Sequence, residues 1–254
     1  MKPIACLASA ALCLTSLACN DHASGTEVVF HAWATGDAGA PARAAGSPVT
    51  FTTDLGHTVT LTRALVTLES VEVVPCAPTA LERLWRALPN ALLATAHAHT
   101  PGTPTRLGEP RVLDLLSAAE VELGALNPPP QRYCTVKVAL GAADDHASGL
   151  PADGTYQGAS LLFEGSVDAQ GASSPRSFVL RAEAAAVAGP AFTPGELQLS
   201  DSERHAQVLL GLPYARWFDG LALATEPDDA LATQLLERAA EDVTASVTSP
   251  SFEQ

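Results

Sequence analysis

Lysine is nearly absent from this chain: Lys2 and Lys137 stand against twelve arginines. A lysine-based mechanism therefore has one candidate, and Lys137 falls in the middle of an alternating apolar stretch. Aromatic residues make up only 5% of the sequence, although an apolar content of 47% suffices for a core. The familiar catalytic signatures are missing too. There is no GxSxG elbow, HExxH helix, P-loop, GxGxxG turn or EF-hand loop. Nothing here argues for hydrolysis or group transfer, so the chain reads as a non-enzyme. Acidic residues outnumber basic ones, giving a net charge of −14. Such a surface repels nucleic acid and anionic lipid, and it suits cation binding or plain solubility. Beyond residue 19 no segment supplies the roughly 20 apolar residues a membrane helix needs.

What is present is most legible at the start. Lys2 precedes an uncharged apolar stretch, Ile4 to Leu17, of the length of a signal-peptide core. It ends in Thr15-Ser16-Leu17-Ala18-Cys19, which resembles the lipobox of bacterial lipoproteins. The resemblance implies a signal peptide over 1–18, diacylation of Cys19, and a lipidated tether over 19–26. Ser16 stands where leucine is commonest, and an ordinary secretory signal is the alternative. Asn20, not aspartate, implies outer-membrane localisation, with the membrane reached through the anchor on Cys19. Removing Cys6, Cys13 and Cys19 with the leader and anchor leaves Cys76 and Cys134. In an oxidising compartment that pair reads as one disulfide, worth about 4 kcal/mol in a long loop. Two soft metal ligands are the rival reading, but neither cysteine has a CxxC or CxxH partner.

Residues 27–250 read as a single domain. Strands are expected at Glu27–Trp33, across 49–76, at 111–116, in "YCTVKVALG", and at 159–167 and 177–185. The apolar parity of the second region slips between Leu65 and Val71, which calls for a bulge or two strands. "GELQLSD" and "HAQVLLGLP" look like a further pair. In "YCTVKVALG", Cys134, Val136, Val138 and Leu140 share a parity that would turn Cys134 into the core. Thr79-Ala-Leu-Glu82 is a capping-box signature opening a short helix that ends before Pro89. An amphipathic helix is expected from Asp228 to Val247, with Asp228 or Asp229 as N-cap. The fold class is therefore mainly β. It is a β-sandwich of immunoglobulin or prealbumin type with one short inserted helix and a C-terminal helix.

Histidine is scarce, with seven in the chain, and two of them form His97-Ala-His99. On an extended chain, residues i and i+2 point the same way about 6.6 Å apart. Two such imidazoles can converge on one ion at about 2.0–2.1 Å, so HxH is a competent bidentate unit for copper or zinc. His31, His57 and His205 are the nominees for further ligands, and His31 has Trp33 as its i+2 neighbour. The bland alternatives are a polar loop for the HxH pair, a half-buried structural residue for His31, a turn residue for His57 and a sheet-surface residue for His205.

"VVFHAWATG", "FTTDLGHTVTLTRALVTLESVEVV" and "YARWFDGLALATEP" resemble the MbnP-like family, periplasmic β-sandwich proteins of copper-related systems. Separately, "VLDLLSAAEVELGALNPPPQRYCTVKVAL" is similar to a stretch of prealbumin-like bacterial lipoproteins. The first resemblance implies copper held by histidines near an oxidised tryptophan, parts that His31 and Trp33 match. It also implies a di-haem peroxidase-like partner. The family carries four cysteines, and this chain keeps two free of the anchor. The expectation is a monomeric, lipid-anchored periplasmic protein that binds copper, with zinc as the other metal, through His97 and His99 with His31 or His205. A structural or interaction lipoprotein of the outer membrane, without metal, is the alternative.

Overall fold

A computed structural model describes residues 26–36, 47–77, 103–117, 119–169, 174–223 and 228–248. The leader with Cys19, the helix expected at 79–88, and His97 with His99 lie outside the described residues. The chain is mainly β and forms a β-sandwich, with two sheets and one α-helix among the described residues.

The larger sheet is built on β3 (Thr58–Pro75), a strand of 18 residues. β8 (Leu161–Asp168) pairs with its first half and β7 (Arg132–Leu140) with its second, both antiparallel. β9 (Arg176–Ala182) extends the sheet beyond β8, and β10 (Ala186–Ala188) extends it beyond β7. Short strands complete it: β2 (Val49–Thr52), β4 (Arg106–Leu107) and β5 (Arg111–Asp114) lie on β3, and β12 (Leu197–Gln198) lies on β7. In the second sheet β1 (Glu27–Ala34) runs parallel to β13 (His205–Leu212) and antiparallel to β6 (Val121–Leu126). β14 (Thr244–Thr248) and then β11 (Phe192–Thr193) follow on the far side of β13.

Alternation explains which faces meet. Val28, Phe30 and Ala32 of β1 are buried, as are Ala206, Val208, Leu210 and Leu212 of β13. They share one core with Val59, Leu61, Ala64 and Val66 of β3. A 3-10 turn, Arg216–Phe218, drives Trp217 and Phe218 into that core, where Phe218 packs on Phe51, Phe163 and Phe178. Each aromatic pair adds about 0.5–1.5 kcal/mol beyond its buried area. A smaller second core lies on the other face of β3 and β8. There the 143–159 loop covers Leu65 and Leu162 with Ala143, Tyr156 and Ala159.

This second core resolves the slip of parity in β3. Residues Ala64–Leu68 are all buried because both faces of the sheet are covered there. The register also shifts between Leu61 and Arg63, between Leu68 and Ser70, and between Val74 and Pro75. One bulged strand, not two strands, crosses the region.

Four expectations need correction. The bulge at Val74/Pro75 gives the core position to fully buried Tyr133, and Cys134 is left half-buried on the other side. "GELQLSD" and "HAQVLLGLP" do not pair, because β12 joins β7 in one sheet and β13 joins β1 in the other. The strand β6 falls in a segment that suggested none: Gly124, at φ 136, sits at a bulge opposite Phe30 and His31 and spoils the alternation. The terminal helix, α1 (Asp229–Glu241), starts where expected, with the Asp228 carboxylate accepting from the Leu231 N–H. It stops short of Val247 because Thr244 and Val247, β-branched, continue as β14 against β13.

Candidate functional site

Strand alternation that buries Phe30 and Ala32 turns Glu27, Val29, His31 and Trp33 to the outer face of the second sheet. His31 stands beside the bulge, with Glu122 as its register partner on β6. Its Nδ1 meets Glu120 Oε1 at 2.9 Å, and the imidazole is 20% exposed. Trp33, next on the same face, is 45% exposed, opposite Gly211 of β13. A large aromatic left in solvent beside a shielded histidine marks this end of the face.

His205 lies on the same face, at the start of β13. Its Nδ1 is 3.3 Å from Glu27 Oε2, and Glu27 is also its register partner. The register places His31 beside Leu209, four residues beyond His205. At about 3.3 Å per residue the two histidines are roughly 13 Å apart along the sheet. The structure does not bring His31 and His205 to one ion, so at most one of them can join any given site.

His57 ends the turn between β2 and β3. Its N–H donates to Thr53 Oγ1 at 3.2 Å, and the Thr53 N–H donates to the His57 carbonyl. Its ring Nδ1 is buried with no hydrogen-bond partner among the described residues. That turn docks onto the 3-10 turn through Asp54 and Asp219: the Asp54 N–H donates to Asp219 and the Gly220 N–H to Asp54. His146 points to solvent beside Asp145.

Cys76 and Cys134 form a disulfide that ties the end of β3 to β7, with Cα atoms 4.8 Å apart. Beside it lies a residue that the sequence did not single out, Glu196. Its Oε2 is 3.5 Å from Cys76 Sγ and 4.0 Å from Cys134 Sγ. Arg132 Nη1 reaches the same oxygen at 3.5 Å. Among the described residues this is the one trio of His, Cys, Asp or Glu side chains whose ligand-type atoms lie within 4.8 Å of one another. No sequence spacing signals it, because the three positions come from three separate strands or turns.

Two open clefts, of about 540 and 440 Å³, have no histidine among their described lining residues. The smaller is lined by Arg63, Asp114 and Val112 among others. Arg63 reaches Asp153 at 3.0 Å. Hydrogen bonds from the Thr155 N–H and hydroxyl, helped by Arg63, hold the Asp153 carboxyl below the usual range.

Protein-family models and curated proteins yield no match to this chain. Among solved structures it is similar to MbnP from Methylosinus trichosporium, at 13% identity and a TM-score of 0.36, over 89% of this chain and 98% of that one. At that level the likeness assigns neither a ligand nor a role.

Proposed function

We propose that this chain is a lipid-anchored extracytoplasmic protein that binds a transition metal, copper first and zinc second, and that it acts by binding rather than catalysis. His97 and His99 supply the bidentate unit. His31, rather than His205, is the third ligand, because its ring is better shielded and its carboxylate contact shorter. The observation that supports this is the 2.9 Å contact between His31 Nδ1 and Glu120 on a shielded ring. A carboxylate that holds one ring nitrogen fixes the tautomer and leaves Nε2 to ligate, the arrangement usual around metal-bound histidine. His205 is less shielded, at 54% exposure, and its carboxylate contact is longer.

The test is metal content of the domain purified from a periplasm supplied with copper and zinc. About one equivalent in the parent protein, lost in His97→Ala/His99→Ala and weakened in His31→Ala but not in His205→Ala, is the expected result. No metal in the folded, disulfide-bonded parent refutes the reading. The exposed Trp33 on the outer face of the second sheet favours a second reading, docking of a protein partner there. A photo-crosslinker at position 33 would then capture one defined protein in cells, with no metal required.

A further inference from the structure

We propose that reduction of Cys76–Cys134 opens a two-thiolate, one-carboxylate site, completed by Glu196, for a thiophilic cation such as Zn2+ or Cu+. This goes beyond the histidine reading and uses none of its residues.

Backbone pairing, not the S–S bond alone, gathers the three side chains. β3 and β7 pair from Leu68 to Pro75 through two register shifts, and beyond the second the Cys76 N–H donates to the Arg132 carbonyl at 3.0 Å. On the other side of β7, Leu197 pairs with Tyr133 and Gln198 with Arg132, which sets Glu196 beside Cys134. Breaking the S–S bond therefore leaves two sulfurs and a carboxylate oxygen at one corner of the sheet. Sulfurs bound to one tetrahedral zinc at about 2.3 Å each sit close together, a separation that side-chain rotation alone supplies from cysteines already in bonding contact. Two thiolates select zinc or cuprous ion over hard cations, and the carboxylate adds a third ligand with a position left open.

The electron balance is simple. A dithiol donor gives two electrons and two protons to the disulfide, leaving two protein thiols and the donor as its own disulfide. Metal binding then displaces both thiol protons, because the thiolate is the ligand. Both cysteines are only half-buried, and Glu196 is 36% exposed, so donor and ion have access. Arg132, on the Glu196 oxygen in the oxidised state, yields that oxygen to the ion.

The experiment uses the His97→Ala/His99→Ala chain, so that the histidine unit and this site are read separately. The oxidised protein and the protein reduced with a phosphine, then freed of reductant without air, are titrated with Zn2+ against a chromophoric chelator and with Cd2+ by ultraviolet absorption. Reduction should add one equivalent of Zn2+ and a thiolate-to-cadmium charge-transfer band. Both should be missing from the oxidised protein and from Cys76→Ser/Cys134→Ser, and Glu196→Gln should weaken the added binding at least tenfold. No added equivalent in reduced protein that keeps its β-sheet circular dichroism overturns the proposal. So does unchanged affinity in Glu196→Gln. Loss of the sheet signal on reduction also overturns it, since the fold would then not hold the thiols together.

Discussion

Replacing Thr67 by valine removes a hydroxyl and adds a methyl of the same shape at a fully buried site. Its Oγ1 lies 3.0 Å from the Tyr156 hydroxyl and 3.2 Å from the Ala159 carbonyl. Thr67 has one proton, so the arrangement that satisfies all three groups has Thr67 donating to Ala159 and Tyr156 donating to Thr67. Tyr156→Phe then removes one net hydrogen bond, about 1 kcal/mol. Thr67→Val costs more, about 2–3 kcal/mol, because it strands the Tyr156 O–H in a dry pocket. The Ala159 carbonyl keeps the Ala143 N–H at 2.8 Å and adds little. The double variant strands nothing and should lose only about 1 kcal/mol, a coupling of roughly 2 kcal/mol. Urea midpoints at constant slope measure all three variants. If the double variant is no more stable than Thr67→Val, the two hydroxyls are not bonded and the argument fails. The same pocket makes a pH prediction. Burial pushes Tyr156 above its ordinary 10.0, against smaller opposing effects of Thr67 and Arg181. Burial raises Tyr133 as well. The unfolded chain thus releases these protons near pH 10 while the folded chain keeps them. Stability is full below about pH 10 and falls above it by up to about 1.4 kcal/mol per pH unit for each such tyrosine. Tyr156→Phe should make that fall shallower without abolishing it.

Asp228→Ala removes the N-cap of α1 and should cost about 1 kcal/mol, read as a lower urea midpoint, while Asp228→Asn should cost much less. Cys76→Ser/Cys134→Ser opens a loop of 58 residues and should cost about 4 kcal/mol by chain entropy. A cost near zero by thermal unfolding would mean that the unfolded chain keeps these strands together. Asp153, held below its ordinary range by Thr155 and Arg63, contributes stability above the ordinary carboxylate range and loses it as pH falls. Asp153→Asn should flatten that acid limb in unfolding midpoints taken from pH 6 to pH 3.

What the sequence revealed and what it hid follow from the range of the forces involved. Strands with one covered face announced themselves, because period-two burial is local: β1 and β13 read directly from "VVFHAW" and "HAQVLLGL". The N-cap of α1 was equally local. Where burial depended on distant segments, the pattern misled. β3 looked broken at Leu65 because a loop some 80–90 residues later covers its second face. Cys134 kept the parity of a core residue, yet a register shift against β3 skips Cys134 and gives that place to Tyr133. The histidines divide in the same way. Their presence on outer faces was legible from alternation, since a polar residue between buried ones faces out. Their spacing was not, because it depends on register. A parallel pairing that set Glu27 beside His205 placed His31 four residues away from it, and one ion cannot span that distance. The Glu196 trio shows the converse. Three residues with no common motif meet because β7 has β3 on one side and β12 on the other. Chemistry that depends on neighbours within a strand can be proposed from sequence, whereas chemistry that depends on neighbours across strands needs the register first.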